Sequence, residues 1–317
     1  MKCRFLTYSC ALALILLMTW LAENLGENEI IFPEILALAV GGWVAEKRPW
    51  RTSALNLWLS PTLAALFGVL LMRYCPAPLW ARVGMAFVFV TLLLQVTRST
   101  LVPSISAAIL PILIGTTSWI YPLSVCVLTA VIAIHTPLID RLLRQPSPPP
   151  PTPLKPFSLG RELVFHGKLL FIVLAVTFLA MKSHCIFLIA PPLIVTLVEF
   201  SHDGSPLRKS PVKVFFLLGF AAGTGVLCHS ILALHLGWSL WLSSGLTTLA
   251  LFFAYEFADM LFPPAAAIAL LPTILPPEQI FHYPWQVMAG TALFLTVSLL
   301  FFRPLPQRKK EVDRLPC

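Results

Sequence analysis

The chain has 317 residues, of which 58% are hydrophobic and 11% are charged, and its mean hydropathy is +0.85. Soluble domains carry roughly 25% charged residues, so this composition excludes water as the solvent for most of the chain. The formal net charge of +8 does not indicate nucleic-acid binding, because the basic residues lie between apolar runs rather than in one patch. The seven cysteines form no CxxC pair and give no sign of a disulfide framework or a zinc site.

Apolar runs of near-spanning length follow one another along the chain. In the first half they cover about 5–22, 30–46, 54–72, 79–96, 101–118 and 120–139, and in the second about 167–182, 185–200, 211–234, 238–256, 261–276 and 284–302. A helix that crosses the hydrocarbon core needs about 20 residues. Several runs are shorter, so ten spans with two re-entrant segments is an alternative to twelve. The first run resembles a signal peptide but lacks a clear cleavage site, and we expect it to be a transmembrane helix.

The second half of the chain repeats landmarks of the first half at an offset of about 160 residues. Matching residues are Pro103 and Pro264, Pro111 and Pro272, and Tyr121 and Tyr283, at offsets of 161 or 162. The repeat predicts an all-α, polytopic transmembrane helical bundle of about twelve segments in two repeats. An even number of spans in each half makes the repeats parallel, related by a pseudo-two-fold axis along the membrane normal.

Four regions are predicted: a first membrane repeat (1–139), a cytoplasmic Pro-rich linker (140–166), a second membrane repeat (167–305) and a basic C-terminal tail (306–317). The linker contains PSPPPPTPLKP, which is typical of an extended polyproline II spacer. If both termini are cytoplasmic, every basic residue except Arg73, Arg82 and Lys182 falls on the inner side. This distribution predicts a multi-pass protein of the plasma (inner) membrane with that orientation.

The fifth segment of each half carries prolines that would interrupt a transmembrane helix. Proline suits the first turn of a helix and breaks its interior, so each segment predicts a short helix that is disturbed about eight residues after its start. The free N–H groups at such a helix start favour a small anion. The alternative is that the prolines only kink packed helices. The predicted substrate-binding residues are Pro103, Ser104, Ser106, Pro263 and Pro264.

Charged residues directly before these segments predict a gate on the inner side. Arg98 corresponds to Asp259 at an offset of 161, and Glu256 shares a helix face with Asp259. We expect Arg98, Glu256 and Asp259 to form a charged ring in which Arg98 pairs with Asp259; the alternative is solvated charges in interfacial loops. Glu34, after Pro33, is a candidate proton carrier or a charge that caps its helix.

The sequence carries no signature of catalysis. No two histidines have i, i+4 spacing, and G-x-S-x-G, Walker and GxGxxG motifs are absent. We therefore predict no catalytic residue, no metal site and no cofactor.

A set of short motifs in residues 185–303 points to a known family. The motifs are Ala190-Pro191-Pro192, Ser205-Pro206-Leu207, Phe220-Ala221-Ala222-Gly223-Thr224-Gly225, Phe262-Pro263-Pro264-Ala265-Ala266-Ala267, Tyr283-Pro284-Trp285 and Gly290. With them the second half resembles the HPP family of integral membrane proteins, named after a His-Pro-Pro tripeptide. Here Phe262 holds the histidine position, and Val102 holds it in the first half, so no role of that histidine carries over. Some plant and cyanobacterial members are associated with nitrite movement, so the resemblance implies a small-anion transporter.

These patterns together predict an integral membrane transporter or channel for a small anion or polar solute. Its expected partners are the lipid bilayer and that solute, without nucleic acid, and a homo-oligomer stays open. Two alternatives remain: a membrane-embedded lipid-modifying enzyme, which would need paired acids at one membrane face, and a non-catalytic membrane partner protein that acts through the linker and tail.

Overall fold

The computed structural model describes residues 2–143, 159–202 and 205–302. Over these residues the chain is helical without a strand, which confirms the all-α prediction. The helices of the first half are α1 (Lys2–Leu25), α2 (Glu34–Ala39), α3 (Ala54–Tyr74), α4 (Leu79–Val96), α5 (Pro103–Ile114) and α6 (Ile120–Leu143). Those of the second half are α7 (Leu159–Lys182), α8 (Pro191–Ser201), α9 (Pro211–Leu227), α10 (Leu240–Ala258), α11 (Pro263–Leu270), α12 (Pro277–Ile280) and α13 (Tyr283–Phe301).

Eight of the described helices are long and apolar enough to cross a membrane: α1, α3, α4, α6, α7, α9, α10 and α13. Helix α9 reaches this length because a π-helical stretch, Cys228–His235, continues it. Large apolar side chains on these helices point outward, for example Phe253 and Phe257, which are 73% and 85% exposed. Such exposed faces need a lipid solvent, so the chain is a multi-pass integral membrane protein.

The other four predicted segments fold as short helices in the interior. Helix α2 continues into a π-helical turn at Val40–Val44, and α11 continues into a 3-10 turn at Leu271–Ile274. Every residue of α2 and α11 is buried, as are nearly all those of α5 and α8. The core of the molecule is therefore made by the four short helices, with the long helices around them.

Stretches of chain that begin with a 3-10 turn precede α2 and α8 and lengthen these two short segments. Ser124 Oγ donates to the Ile30 carbonyl at 2.5 Å, and Trp43 Nε1 donates to Thr136 Oγ1 at 3.1 Å. The chain from Ile30 to Trp43 thus runs along twelve residues of α6, about 18 Å of helix. The segment before and within α8 runs along α13 in the same way, with hydrogen bonds from Phe187 to Gln286 and between Ser201 and Ser298.

Packing within each half centres on α3 and on α9. Helix α3 packs against α5 and α6, and α9 packs against α11 and α13. Glycines allow the closest approaches, because a Cβ on Gly68 would lie 2.2 Å from the Ala108 carbonyl oxygen and one on Gly225 would lie 2.1 Å from that of Ala269. Only glycine fits at these two crossings.

At the contact between the two halves, helices of one half pack on helices of the other. Helix α1 packs on α10 while α7 packs on α4, and α2 packs on α11 while α8 packs on α5. Each half therefore depends on the other to cover its short helices.

Helices extend into the predicted linker range from both sides, because α6 runs to Leu143 and α7 begins at Leu159. The remainder of the linker, 144–158, and the predicted tail, 306–317, lie outside the described residues.

Candidate functional site

The predicted substrate-binding residues lie in the buried centre of the molecule. Pro103, Ser104 and Ser106 belong to the first turn of α5, and Pro263 and Pro264 begin α11; all five are buried. A proline at a helix start removes no intrahelical hydrogen bond, which is why these helices begin there. Helices α5 and α11 are connected through α2 and α8, which pack against α11 and α5.

The predicted disturbance of α5 at Pro111 does not break the helix, which continues to Ile114 and ends at Gly115 with a φ of 76°. A proline inside a helix removes the N–H that would bond to the carbonyl four residues earlier, here that of Ala107. Tyr121 of α6 supplies the missing donor, because its hydroxyl donates to the Ala107 carbonyl at 2.9 Å. This hydrogen bond keeps α5 helical through its proline.

Helix α11 is interrupted, as the sequence predicts, and becomes a 3-10 turn that contains Pro272. The carbonyl four residues earlier belongs to Ile268, and the Tyr283 hydroxyl of α13 donates to it at 2.8 Å. The tyrosines therefore satisfy carbonyls that prolines leave open at membrane depth, where an unpaired carbonyl costs several kcal/mol.

A carboxyl group lies beside the first turn of α5. Glu34, the first residue of α2, is 1% exposed, and its Oε1 accepts a hydrogen bond from Ser106 Oγ. Its Oε2 and the Ser104 hydroxyl, which is also fully buried, have no hydrogen-bond partner. Buried polar atoms are nearly always paired in native proteins, so each of these two oxygens, one on α2 and one in the first turn of α5, is a point where a polar ligand or a water would be stabilised.

Glu34 lies where the two halves meet, because α2 packs on α11. The hydroxyl groups of Tyr121 and Tyr283 are close enough to the Glu34 carboxyl group to interact with its charge. At the repeat offsets of 158 and 161, Glu34, Ser104 and Ser106 correspond to Pro192, Ala265 and Ala267. The carboxyl group and the two serine hydroxyls therefore have no polar counterpart in the second half.

The predicted gate residues lie at or near the C-terminal ends of α4 and α10. Arg98 and Asp259 follow α4 and α10 in the left-handed region, with φ of 52° and 46°, and both are exposed. The predicted pair of Arg98 with Asp259 is not among the ion pairs of the described residues. Each residue instead ends its helix, and an exposed charge there gains more from water than from a distant partner.

Glu256 pairs with α1 instead. Arg4 Nε lies 3.2 Å from its Oε1, and the Tyr8 hydroxyl donates to the same oxygen at 2.7 Å. The ring of Tyr8 also packs on Phe252, with ring centroids 4.4 Å apart. Glu256 therefore joins α1 of the first half to α10 of the second half.

A polar cavity of about 170 Å³ lies at the end of α2, between α3 and α6. Arg48 and Thr136 line it together with Asp140, and the Arg48 guanidinium donates to the Asp140 carboxylate. Trp50 forms another wall, and its Nε1 donates to Glu199 Oε1 of α8 at 2.8 Å. The tryptophan thus connects this cavity of the first half to a carboxyl group of the second.

Sequence reasoning did not identify Trp50, Glu199 or the two tyrosines. The repeated Tyr-Pro dipeptide and the repeated interior proline were visible, but the link between them is tertiary. Glu199 could have been singled out from the sequence, because a carboxylate inside an apolar run is a candidate functional residue. Among the described residues, no three His, Cys, Asp or Glu side chains come together as a metal site.

Comparison with protein families matches residues 160–311 to the family model described as "HPP, transmembrane region". No curated protein and no solved structure matches the chain. The matched range contains the motifs of the second half and the helices α7–α13, so it confirms the resemblance that those motifs indicated. The C-terminal half of the chain therefore belongs to the HPP transmembrane family.

Proposed function

We propose that this protein is a transporter or channel that moves a small anion or polar solute along the axis between its two halves. The observation that carries the proposal is the pair of unpartnered oxygens, Glu34 Oε2 and Ser104 Oγ, buried beside the contact between the halves. Polar residues buried at membrane depth are costly and tend to mark solute and ion pathways. Pro103, Ser106, Pro263 and Pro264 would shape the same site.

The contacts between the halves come in matched pairs, which supports two parallel repeats related by a pseudo-two-fold axis along the membrane normal. Under the repeat, α1 corresponds to α7 and α4 to α10, and the contact of α1 with α10 becomes that of α7 with α4. Likewise the contact of α2 with α11 becomes that of α8 with α5. Transporters built from repeats bind their solutes at the repeat interface, near discontinuous helices. We place twelve chain crossings in this arrangement, eight by long and four by short helices.

The charge distribution supports an orientation with both termini in the cytoplasm of a cell with a plasma (inner) membrane. Arg48 and Lys47 then lie on the inner side with the cavity beside Trp50, following the positive-inside rule. We propose that this cavity is the inner entrance to the site. Arg98, Glu256 and Asp259 would lie at the same side, where Glu256 and Arg4 hold α1 to α10.

A lipid-modifying enzyme is less well supported by the same contacts. It would need two free acids at one membrane face, and Glu256 was the candidate with Asp259. Glu256 Oε1 forms an ion pair with Arg4 and accepts a hydrogen bond from Tyr8, so one oxygen of this carboxylate is already engaged by α1. We therefore favour a non-enzymatic role.

Solute flux into proteoliposomes tests the proposal. Purified protein is reconstituted, and uptake of labelled nitrite and formate is compared with that of empty vesicles. We expect protein-dependent uptake that Ser104→Leu abolishes, because leucine adds bulk to the fully buried first turn of α5, which also carries Ser106, the partner of Glu34, and that Ser104→Ala lowers severalfold.

Ser60→Ala is the matched control, since the Ser60 hydroxyl on α3 is also buried without a partner. It should leave uptake unchanged. Uptake equal to that of empty vesicles for every solute, or equal losses in Ser60→Ala and Ser104→Ala, would reject a site at this place.

A further inference from the structure

We propose that Glu34 binds a proton together with each anion, so that a monovalent anion crosses as an electroneutral proton–anion unit. This inference rests on the transport function proposed above and adds the class of cargo and its coupling ion. It follows from the charges that surround the site, from the position of Glu34 between the halves, and from the hydrogen bonds already formed by its neighbours.

The centre offers no cation to an anion. Among the described residues no lysine or arginine side chain is buried. Helix α11 is entirely apolar, α5 contributes only serine hydroxyls, and Arg4 and Glu23 of α1 are not buried. The second carboxyl group of the short helices, Glu199 of α8, accepts a hydrogen bond from Trp50 at the inner cavity. An anion that reaches the first turn of α5 therefore meets the Glu34 carboxyl group and no buried lysine or arginine.

Two negative charges cannot share such a site without a proton. An ionised group in a dry interior costs several kcal/mol unless it is paired, and two like charges in one site drive one of them to take up a proton. With a proton on Glu34, its Oε2 becomes a hydrogen-bond donor to the anion, while Ser106 continues to donate to Oε1. The Ser104 hydroxyl, two residues before Ser106 in the same buried turn of α5, is a further donor without a partner.

The other titratable groups near Glu34 cannot replace it as proton carriers. These groups are Tyr121 of α6 and Tyr283 of α13. Each tyrosine hydroxyl donates its proton to a carbonyl of a proline-interrupted helix, at 2.9 and 2.8 Å. Removing either proton would leave that carbonyl unpaired at membrane depth.

The balance of charge fixes the stoichiometry. When the empty site opens to water, Glu34 releases its proton and is left as a hydrated carboxylate, so the site has a charge of minus one; the loaded site holds a protonated Glu34 and the anion, again with a charge of minus one. The proton and the anion enter and leave together, and the movement of the loaded and empty site transfers no net charge. Transport then responds to a pH gradient and not to membrane potential.

Proteoliposomes that contain a pH-sensitive dye test this inference with nitrite as the probe. Potassium and valinomycin set the membrane potential independently of the pH gradient. We expect protein-dependent nitrite influx to acidify the interior, to rise when the outside is acidic, and to be unchanged by potential. Empty vesicles measure the diffusion of nitrous acid through lipid.

Glu34→Gln keeps an acceptor for Ser106 but cannot carry a proton. We expect it to lose at least tenfold in uptake driven by the pH gradient and to retain exchange of labelled for unlabelled nitrite. Glu29→Gln is the control, because Glu29 accepts from Thr116 near the start of α6 and should behave as the original chain.

The possible results separate the two proposals. Protein-dependent nitrite flux without proton movement, or concentrative uptake by Glu34→Gln, overturns the role of Glu34 and leaves the transporter in place. Absence of flux above empty vesicles rejects the transporter and this role with it. If Glu34→Gln does not fold, the proton-to-nitrite ratio of the original chain and the pH response of Glu34→Asp decide the question.

Discussion

Replacing Gly225 by alanine should destabilise the protein, whereas the same change two residues earlier should not. A Cβ on Gly225 would lie 2.1 Å from the Ala269 carbonyl oxygen and 3.2 Å from Pro272 Cγ, while one on Gly223 would meet nothing within 4 Å. Overpacking of this kind costs about 1–3 kcal/mol, and a backbone carbonyl in a packed helix cannot rotate away. Alanine in place of glycine also favours a helix by about 1 kcal/mol, which is the only effect left at Gly223.

Thermal unfolding of the purified protein in one detergent measures the difference. We expect the midpoint to fall by on the order of 5 °C for Gly225→Ala and to stay constant or rise for Gly223→Ala. Gly68→Ala should behave as Gly225→Ala, because its Cβ would lie 2.2 Å from the Ala108 carbonyl oxygen. A Gly225→Ala protein as stable as Gly223→Ala would refute the close crossing of α9 and α11.

Two contacts around the inner cavity give further predictions for the same thermal assay. Asp140→Asn should cost about 1–3 kcal/mol, because it removes a charged acceptor from the half-buried Arg48 guanidinium; an unchanged midpoint would mean that the pair is not formed. Trp50→Phe should cost about 0.5–1.5 kcal/mol through the lost hydrogen bond to Glu199. Gly41→Ala should cost more, since its Cβ would lie 2.3 Å from the tryptophan ring, and equal stability would contradict that packing.

Much of the architecture can be predicted from the sequence, because a lipid environment requires long apolar helices. Long apolar runs become long helices, and prolines such as Pro263 set the start of a helix through their fixed φ. Pro272 likewise ends the α-helical part of α11, whereas α5 passes Pro111 and ends at Gly115. Pro33 marks the start of α2, but the change from α2 to a π turn is decided by packing, which no periodicity in the run reveals.

The partners of the charged residues were the least predictable feature. Glu256 and Asp259 share a helix face, so a paired gate was a natural expectation. The structure joins Glu256 to Arg4 and Tyr8 because α1 packs on α10 of the other half. A repeat predicts that such contacts come in pairs, but it does not predict which helices of one half pack on which helices of the other. The hydrogen bond from Ser106 to Glu34, 72 residues apart within the first half, is likewise a tertiary contact that the repeat does not predict.

Thiol accessibility at Ser104 tests most directly whether an aqueous solute reaches the buried centre. The seven cysteines are first replaced by alanine, and Ser104→Cys is then treated in membranes with a small, negatively charged methanethiosulfonate. Ser183→Cys, at an exposed position, is the reactive control, and Ser244→Cys, buried on α10 without a hydrogen-bond partner, is the unreactive one. We predict that Ser104→Cys reacts and that nitrite slows its reaction; a Ser104→Cys protein as inert as Ser244→Cys would contradict a solute path through the four short helices.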